Sequence, residues 1–326
     1  MKEKILKLLQ EPGFVSGQAI SEELGISRTA VWKHIKALRE DGYELESVTR
    51  KGYRLLTSPD VLSIERLSGL VGPHLSGNLA CYETIDSTNE EAKRCALDGA
   101  PDRSLYVAEV QTRGKGRRGR RWQSPGGKDL FFSILLRPEI PMESTSMITL
   151  VCAYAMVLTM EKYAKEKCFI KWPNDIVLHD KKICGILTEM STELNQIQYV
   201  VAGIGANLNR TEFDPEIRDM AGSVFSESGQ KVNRGEFLRD FMMEFNDIYP
   251  VFLQKRDLSF LAQSYNDRLI NAGRQVRLLG PAGSVGMTGT AEGINDRGEL
   301  LVKDPAGEIR AVCAGEVSVR GLYGYV

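Results

Sequence analysis

Apolar residues recur first at helical spacing, then in mixed runs, then in short strand-like runs. These changes of period divide the 326-residue chain into three. Over residues 1–57, Ile5, Leu6, Leu8 and Leu9 give one face of a short helix that Pro12-Gly13 ends. A second helix runs from about Gly17 to Leu24 behind Ser16, a hydroxyl suited to N-capping, and Gly25 makes the turn. Ser27 caps a third helix in which Ala30, Val31, Ile35 and Leu38 share a face. Strands at residues 43–48 and 52–56 follow, joined through Thr49-Arg50-Lys51-Gly52. Helix, helix, tight turn, helix and basic-tipped hairpin is the order of a winged helix-turn-helix.

Past the polar linker at residues 57–60, strands and helices alternate up to residue 270. Apolar β-type runs lie at residues 105–110, 130–136, 169–172, 183–189 and 199–204, and long helices at 147–165 and 234–253. That mixture predicts an α/β or α+β domain. After Asn271-Ala272-Gly273, short runs at 275–279, 286–292, 298–303 and 309–313 alternate with turn signals such as Pro305-Ala306-Gly307. They predict a small antiparallel barrel. The expected domains are therefore 1–60, 61–270 and 271–326.

Composition narrows the class. Hydrophobic content of 42% and charged content of 26% are those of a soluble globular protein. The net charge of −1 gives no global attraction to nucleic acid or membrane, so any such contact is local. The apolar stretch at residues 147–160 is too short to span a bilayer and reads as a buried helix. The first residues, MKEKILKLLQEPG, have no uninterrupted apolar run or cleavage pattern of a signal peptide. Six scattered cysteines contain no CxxC pair, and three histidines lie far apart, so neither a metal site nor a Ser-His-Asp triad has support. A cytoplasmic protein with free thiols is expected.

In the first unit ten Lys/Arg oppose eight Asp/Glu, a net of +2. The acids gather at Glu22, Glu23, Glu40 and Asp41; the bases lie on the third helix and the hairpin tip. Gly17, Ser27, Arg28, Thr29, Trp32, Lys33, Lys36, Arg50 and Lys51 are the candidate DNA contacts. A charged helix face is also the ordinary solvated surface of a protein-interaction module, which stands as the alternative.

The densest charge is elsewhere. Residues 113–121 contain only arginine, lysine and glycine: six positive charges and three glycines. Guanidinium forks, an ammonium and glycine-exposed N–H groups grip phosphate and carboxylate. Gly114-x-Gly116-x-x-Gly119 formally matches a dinucleotide fingerprint, but no apolar helix follows it, which argues against that reading. Self-repulsion predicts a mobile loop that orders around an anion.

Three further segments carry polar groups at element ends. Asp86-Ser87-Thr88-Asn89 precedes a helix expected near Glu90, and such side chains are ordinarily caps. Lys171-Trp172-Pro173-Asn174-Asp175 ends a strand, and Lys181-Lys182-Ile183-Cys184-Gly185-Ile186-Leu187 follows at hairpin distance. Gly203-Ile204-Gly205-Ala206-Asn207 ends another strand with two glycines, allowing close approach of a ligand to the backbone.

Together these segments resemble one family, the biotin protein ligases, in the bifunctional form that carries a DNA-binding domain, the biotin-operon repressors. The resemblance covers essentially the whole chain, and KWPND followed by KKICGIL is its most specific part. GKGRRGRRW is a variant of the usual GRGRRGRxW; Lys115 keeps the charge but loses the bidentate fork. The resemblance implies a winged helix-turn-helix, an α/β ligase domain and an SH3-like barrel. It implies formation of biotinyl-5′-adenylate from biotin and Mg2+-ATP, then transfer to a lysine of a biotin carboxyl carrier protein or other carboxylase subunit such as that of acetyl-CoA carboxylase. It implies operator DNA as a second partner, bound by a homodimer that forms with the adenylate, and no resident metal cluster.

Residue by residue, the resemblance makes Arg117, Lys171, Asp175 and Lys182 catalytic. It places Ser87, Thr88, Asn89, Gln111, Gly114, Lys115, Gly116, Arg117, Trp122, Lys182 and Gly185 at biotin. It places Arg117, Arg118, Arg120, Asn174, Asn207 and Arg320 at the nucleotide. The alternatives are a lipoate-type ligase, a biotin sensor without catalysis, and a ligase whose wing domain binds no operator.

Overall fold

The structure, a computed structural model, describes residues 1–9, 13–57, 59–194, 196–279, 285–313 and 318–321. The chain divides into two compact units, Met1–Val61 and Leu62–Val326.

In the first unit the capping residues set the elements. Helices α1 (Lys2–Leu9), α2 (Gly17–Leu24) and α3 (Arg28–Glu40) precede a hairpin of β1 (Glu44–Val48) and β2 (Gly52–Thr57). The Ser16 hydroxyl accepts from Ala19 N at 3.0 Å and Ser27 from Ala30 N at 3.2 Å, each satisfying an orphan donor of the first turn. Gly25 adopts φ 63°, the left-handed conformation that ends α2 at little cost. Ile5, Ile20, Val31, Ile35 and Leu38 form the core, and Tyr53 bridges Val15 to tie the wing to the helices. The expected winged helix-turn-helix is present.

The second unit is built on a seven-stranded sheet. Its strands are β3 (Leu79–Ile85), β4 (Ser104–Gln111), β5 (Leu130–Leu136), β6 (Phe169–Lys171), β7 (Asp175–Leu178), β8 (Lys181–Glu193) and β9 (Gln196–Ala206). The order is β3-β4-β5-β9-β8-β7-β6; only β3 and β4 run parallel, joined through α5 (Thr88–Leu97). Two long helices, α6 (Thr145–Ala164) and α8 (Arg234–Lys255), cover one face and α5 the other. The sequence pattern foresaw neither β3 nor the short helix α4 (Ile64–Leu70). The remaining short helices are α7 (Val224–Ser228) and α9 (Ala262–Asn266). Helix α6 is long and apolar enough to cross a membrane, but it is largely buried in this core.

The C-terminal strands β10 (Gln275–Leu279), β11 (Val285–Ile294), β12 (Leu300–Lys303), β13 (Ile309–Val312) and β14 (Ser318–Gly321) form one antiparallel sheet, ordered β13-β12-β11-β10-β14. Val276, Leu278, Ala291 and Leu300 belong to the same core as α6 and α8. Trp172 connects the two sheets: its indole donates to Gly298 O at 3.0 Å and its backbone N–H to Asn271 Oδ1 at 2.9 Å.

Candidate active site

Alternate residues of β9 face α5. Tyr199 and Val201 fill the space under the helix. Gly203 and Gly205 continue the same face beyond it, and their missing side chains leave the floor of an open cleft. A Cβ on Gly203 would collide with the Asn89 amide, and one on Gly205 with the Trp122 indole. At Gly185 on β8 it would lie 2.9 Å from both Trp122 and the Lys182 ammonium. Glycine at these three sites is therefore a matter of space, since none of them has a positive φ.

The α5 end of the cleft is neutral and polar. The helix begins at Thr88, two residues before the expected start, and Ser87 makes no capping hydrogen bond. The ordinary reading of this segment as caps is thus corrected: Ser87, Thr88 and Asn89 are buried and line the cleft. Thr88 N donates to Gln111 Oε1 at 2.9 Å, and the Gln111 amide donates to Ser124 Oγ at 2.9 Å. Asn89 Nδ2 donates to Glu189 Oε2 at 2.7 Å. Ser133 Oγ, on β5, stands 2.6 Å from Asn89 Oδ1 and 2.7 Å from Thr88 Oγ1.

The opposite end is cationic. Lys182 Nζ lies 2.6 Å from Asp175 Oδ1 and 5.2 Å from the centre of the Trp122 ring. Arg117 donates to Asn174 Oδ1 at 2.9 Å, and Asn174 in turn donates to Asp175 Oδ1 at 3.0 Å and Ile186 O at 3.1 Å. Burial draws the Arg117 guanidinium below its ordinary pKa; the Asp175 carboxylate opposes that shift and Arg118 adds to it. The KWPND and KKICGIL segments thus meet as neighbouring strands, with Asp175 opposite Gly185.

The basic loop folds back on itself. Gly116 N donates to Arg120 O at 2.7 Å and Trp122 N to Gly114 O at 2.9 Å. Lys115 Nζ pairs with Glu90 Oε1 at 2.7 Å, so its point charge is used on α5. Arg118, at φ 58°, donates to Leu279 O of the C-terminal sheet at 3.1 Å. Arg113, Arg120 and Arg121 are exposed and make no ion pair among the described residues.

Several expected site residues stand outside the cleft lining. Lys171 is buried in β6, and Gly114 is buried beneath the Trp122 carbonyl. Asn207, expected at the nucleotide, is buried at the end of β9: its amide donates to Gly222 O at 2.9 Å, and residues 220–222 in turn pair with the backbone of Lys182. Arg320 pairs with Arg277 through β14, and its side chain lies outside the described residues.

Sequence reasoning missed Ser133, Glu189 and Ser124. It also missed Arg210, which donates to Asp129 Oδ2 at 2.6 Å and to Gln123 O at 3.2 Å, fixing the chain just after Trp122. The only available signals were single polar residues inside apolar runs, such as the serine of LFFSILL.

In the first unit Ser27, Arg28, Thr29, Lys33 and Lys36 are exposed on α3, and Arg50 and Lys51 at the hairpin tip. Trp32 is 55% exposed, with Lys36 Nζ 6.0 Å from its ring centre. Arg28 and Lys33 form no ion pair among the described residues. Gly17 is half-buried, 3.5 Å from Tyr53 by its would-be Cβ, and serves the packing of α2 on the wing.

A glycine-floored cleft with a neutral end and a cationic end on a mixed sheet, in a chain that also carries a wing domain and a small β domain, defines a ligase of the biotin/lipoate class. Residues 81–207 match the Biotin/lipoate A/B protein ligase family, residues 2–54 an HTH domain and residues 272–320 the biotin protein ligase C-terminal domain. The chain is 37% identical to the bifunctional ligase/repressor BirA of Bacillus spizizenii over 98% of both chains. It is 30% identical to that of Escherichia coli over 97% of this chain and 96% of the relative. The biotin protein ligase of Aquifex aeolicus, solved with biotin and ATP, superposes with a TM-score of 0.65 at 29% identity, covering 75% of this chain and 99% of that one. The chain belongs to the bifunctional ligase/repressor family.

Proposed function

We propose that this protein activates biotin with ATP, transfers it to an acceptor lysine, and represses transcription in response to biotin. The observation that carries the reading is the polarity of one cleft: uncharged hydrogen-bonding groups at Thr88 and Gln111, and two cations, Arg117 and Lys182, at the other end. A ureido ring needs neutral donors and acceptors. A carboxylate approaching a polyphosphate needs positive charge between them. A lipoyl ring, with no N–H or C=O, would leave the polar end unpaired.

In the first step a biotin carboxylate oxygen attacks the α-phosphorus, the bond to the β-phosphate breaks, and pyrophosphate leaves. Lys182 and Arg117 hold the two anions together, with Mg2+ arriving on the nucleotide. Asn174 orients Arg117, and Arg118 and Arg120 supply further charge toward the phosphates. In the second step the acceptor lysine nitrogen attacks the acyl carbon, the C–O bond to AMP breaks, and Asp175 takes the amine proton. Trp122 lies over the ring, and Lys171 supports the Asp175 turn from the neighbouring strand. The acceptor is a biotin carrier domain of a carboxylase, met in the cytoplasm.

The wing domain reads operator DNA through α3 and the hairpin tip, as a homodimer that forms when the adenylate is bound. A single module of net +2 has few phosphate contacts and binds weakly; two at fixed spacing gain a large effective concentration. Pyrophosphate exchange into ATP tests the chemistry. Exchange that requires biotin supports it; equal exchange with lipoate overturns it.

A further inference from the structure

Four polar groups run in single file from a carboxylate to the cleft, and their chemistry fixes the direction of every hydrogen bond between them. Glu189 Oε2 lies 2.7 Å from Asn89 Nδ2, and Leu187 O lies 3.4 Å from the same nitrogen. Both partners can only accept, so the NH2 group of Asn89 faces them and its Oδ1 faces Ser133. Lys93 holds the other Glu189 oxygen at 2.7 Å and keeps the carboxylate in place. An amide oxygen can only accept, so the single Ser133 proton goes to Asn89 Oδ1 at 2.6 Å. Ser133 must then accept from Thr88, whose hydroxyl lies 2.7 Å away. The competing acceptor, Gln111 Oε1, is 3.2 Å from that hydroxyl and already takes the Thr88 backbone N–H at 2.9 Å. With its proton committed inward, Thr88 Oγ1 turns a lone pair toward the cleft.

Resting on the ureido reading above, we propose that Glu189, Asn89 and Ser133 are positioning residues that make Thr88 an obligatory acceptor, so the site selects a ligand donating an N–H at that point. Ser133 is fully buried and the Asn89 amide packs on Gly203 with its orientation set by the Glu189 carboxylate, so the chain of bonds holds its direction while that carboxylate is in place. A ligand presenting an acceptor there meets lone pair against lone pair.

The test compares biotin with its cyclic carbamate isosteres, in which one ureido N–H is replaced by oxygen without change of size. The readout is the ratio of kcat/KM values in pyrophosphate exchange. In the wild-type protein one of the two isosteres should be at least ~30-fold poorer than biotin, the order expected when a buried polar group loses its partner. In Ser133→Ala the Thr88 hydroxyl can rotate and donate to the ring oxygen, and the discrimination should fall about tenfold, carried in KM. Glu189→Gln, which leaves an acceptor for Asn89 but frees the amide to turn, should give an intermediate ratio. General damage to the fold lowers both ligands alike and leaves the ratio unchanged. An unchanged ratio in a Ser133→Ala protein that still uses biotin overturns the proposal alone. A wild-type protein that does not use biotin overturns the functional reading and this proposal with it.

Discussion

Removing the Lys182 ammonium should disable the first chemical step while sparing the fold. The ammonium lies 2.6 Å from Asp175 Oδ1, and its side chain is one-quarter exposed. A unit charge about 4 Å from a phosphate oxygen, at an effective dielectric of ~20, is worth ~4 kcal/mol. Partial solvent access trims that to ~3 kcal/mol, which is roughly 10²-fold in rate. Lys182→Ala should therefore slow biotin-dependent pyrophosphate exchange by about 10²–10³-fold, chiefly in kcat. It also removes the ammonium that faces the Asp175 carboxylate, whose negative charge then repels the incoming anions more strongly. Removing both, in Lys182→Ala/Asp175→Ala, should restore part of the exchange rate, because the two side chains touch and do not act additively. Exchange reads the first step alone, so any loss of proton transfer to Asp175 in the second step does not obscure it. A Lys182→Ala protein exchanging within threefold of wild type would remove this lysine from the reacting centre. A double variant slower than the single one would refute the charge reasoning.

Gly205→Ala should push the Trp122 indole off its floor, shift the tryptophan fluorescence and weaken biotin binding at least tenfold; an unchanged spectrum with normal binding contradicts the packing. Trypsin should cut after Arg113, Arg120 or Arg121 more slowly when biotin and ATP are present together, and equal cutting rates would count against ordering of the loop by the adenylate. Arg28→Ala and Lys33→Ala should each weaken operator binding in gel-shift titrations and reduce its salt slope by about one, with ligation unaffected; loss of ligation would contradict the division of labour. Arg94 beside Asp86 holds that carboxyl down at about 2, from an ordinary 3.8. A depressed carboxyl stabilises the fold above the unfolded pKa and loses that contribution as pH falls toward the folded one. After discounting for solvent screening the contribution is ~1 kcal/mol, and Asp86→Asn should flatten the loss of thermal stability between pH 4 and 2 by that amount.

The parts of this molecule that announce themselves in sequence are those whose cause is local. Ser16, Gly25 and Ser27 cap and turn α2 and α3 through groups three or four residues away, and these elements lie where the pattern puts them. The lysine and aspartate of KWPND and KKICGIL meet because a short hairpin leaves them no other choice. Strand β3 was not legible because it is an edge strand with half-exposed residues on both faces, paired only with the parallel β4. Ser87 looked like a cap because its spacing to the helix is right, and only the β9 glycines reveal a cleft for it to face. Ser133 and Glu189 act on residues 44 and 100 positions away, a distance that no period in the sequence encodes. Asn207 carries a polar side chain at a strand end, and its bond to Gly222 O, 15 positions away, is another contact that no period encodes.

The central claim, that this cleft joins biotin to protein through an acyl adenylate, is tested most directly by mass spectrometry of a purified biotin carrier domain. The domain is incubated with the protein, Mg2+-ATP and either biotin or lipoate. The account predicts the mass increment of one biotinyl group on one lysine, dependent on ATP and lost in Lys182→Ala. A lipoyl increment of equal yield, or no increment with either acid, would contradict it.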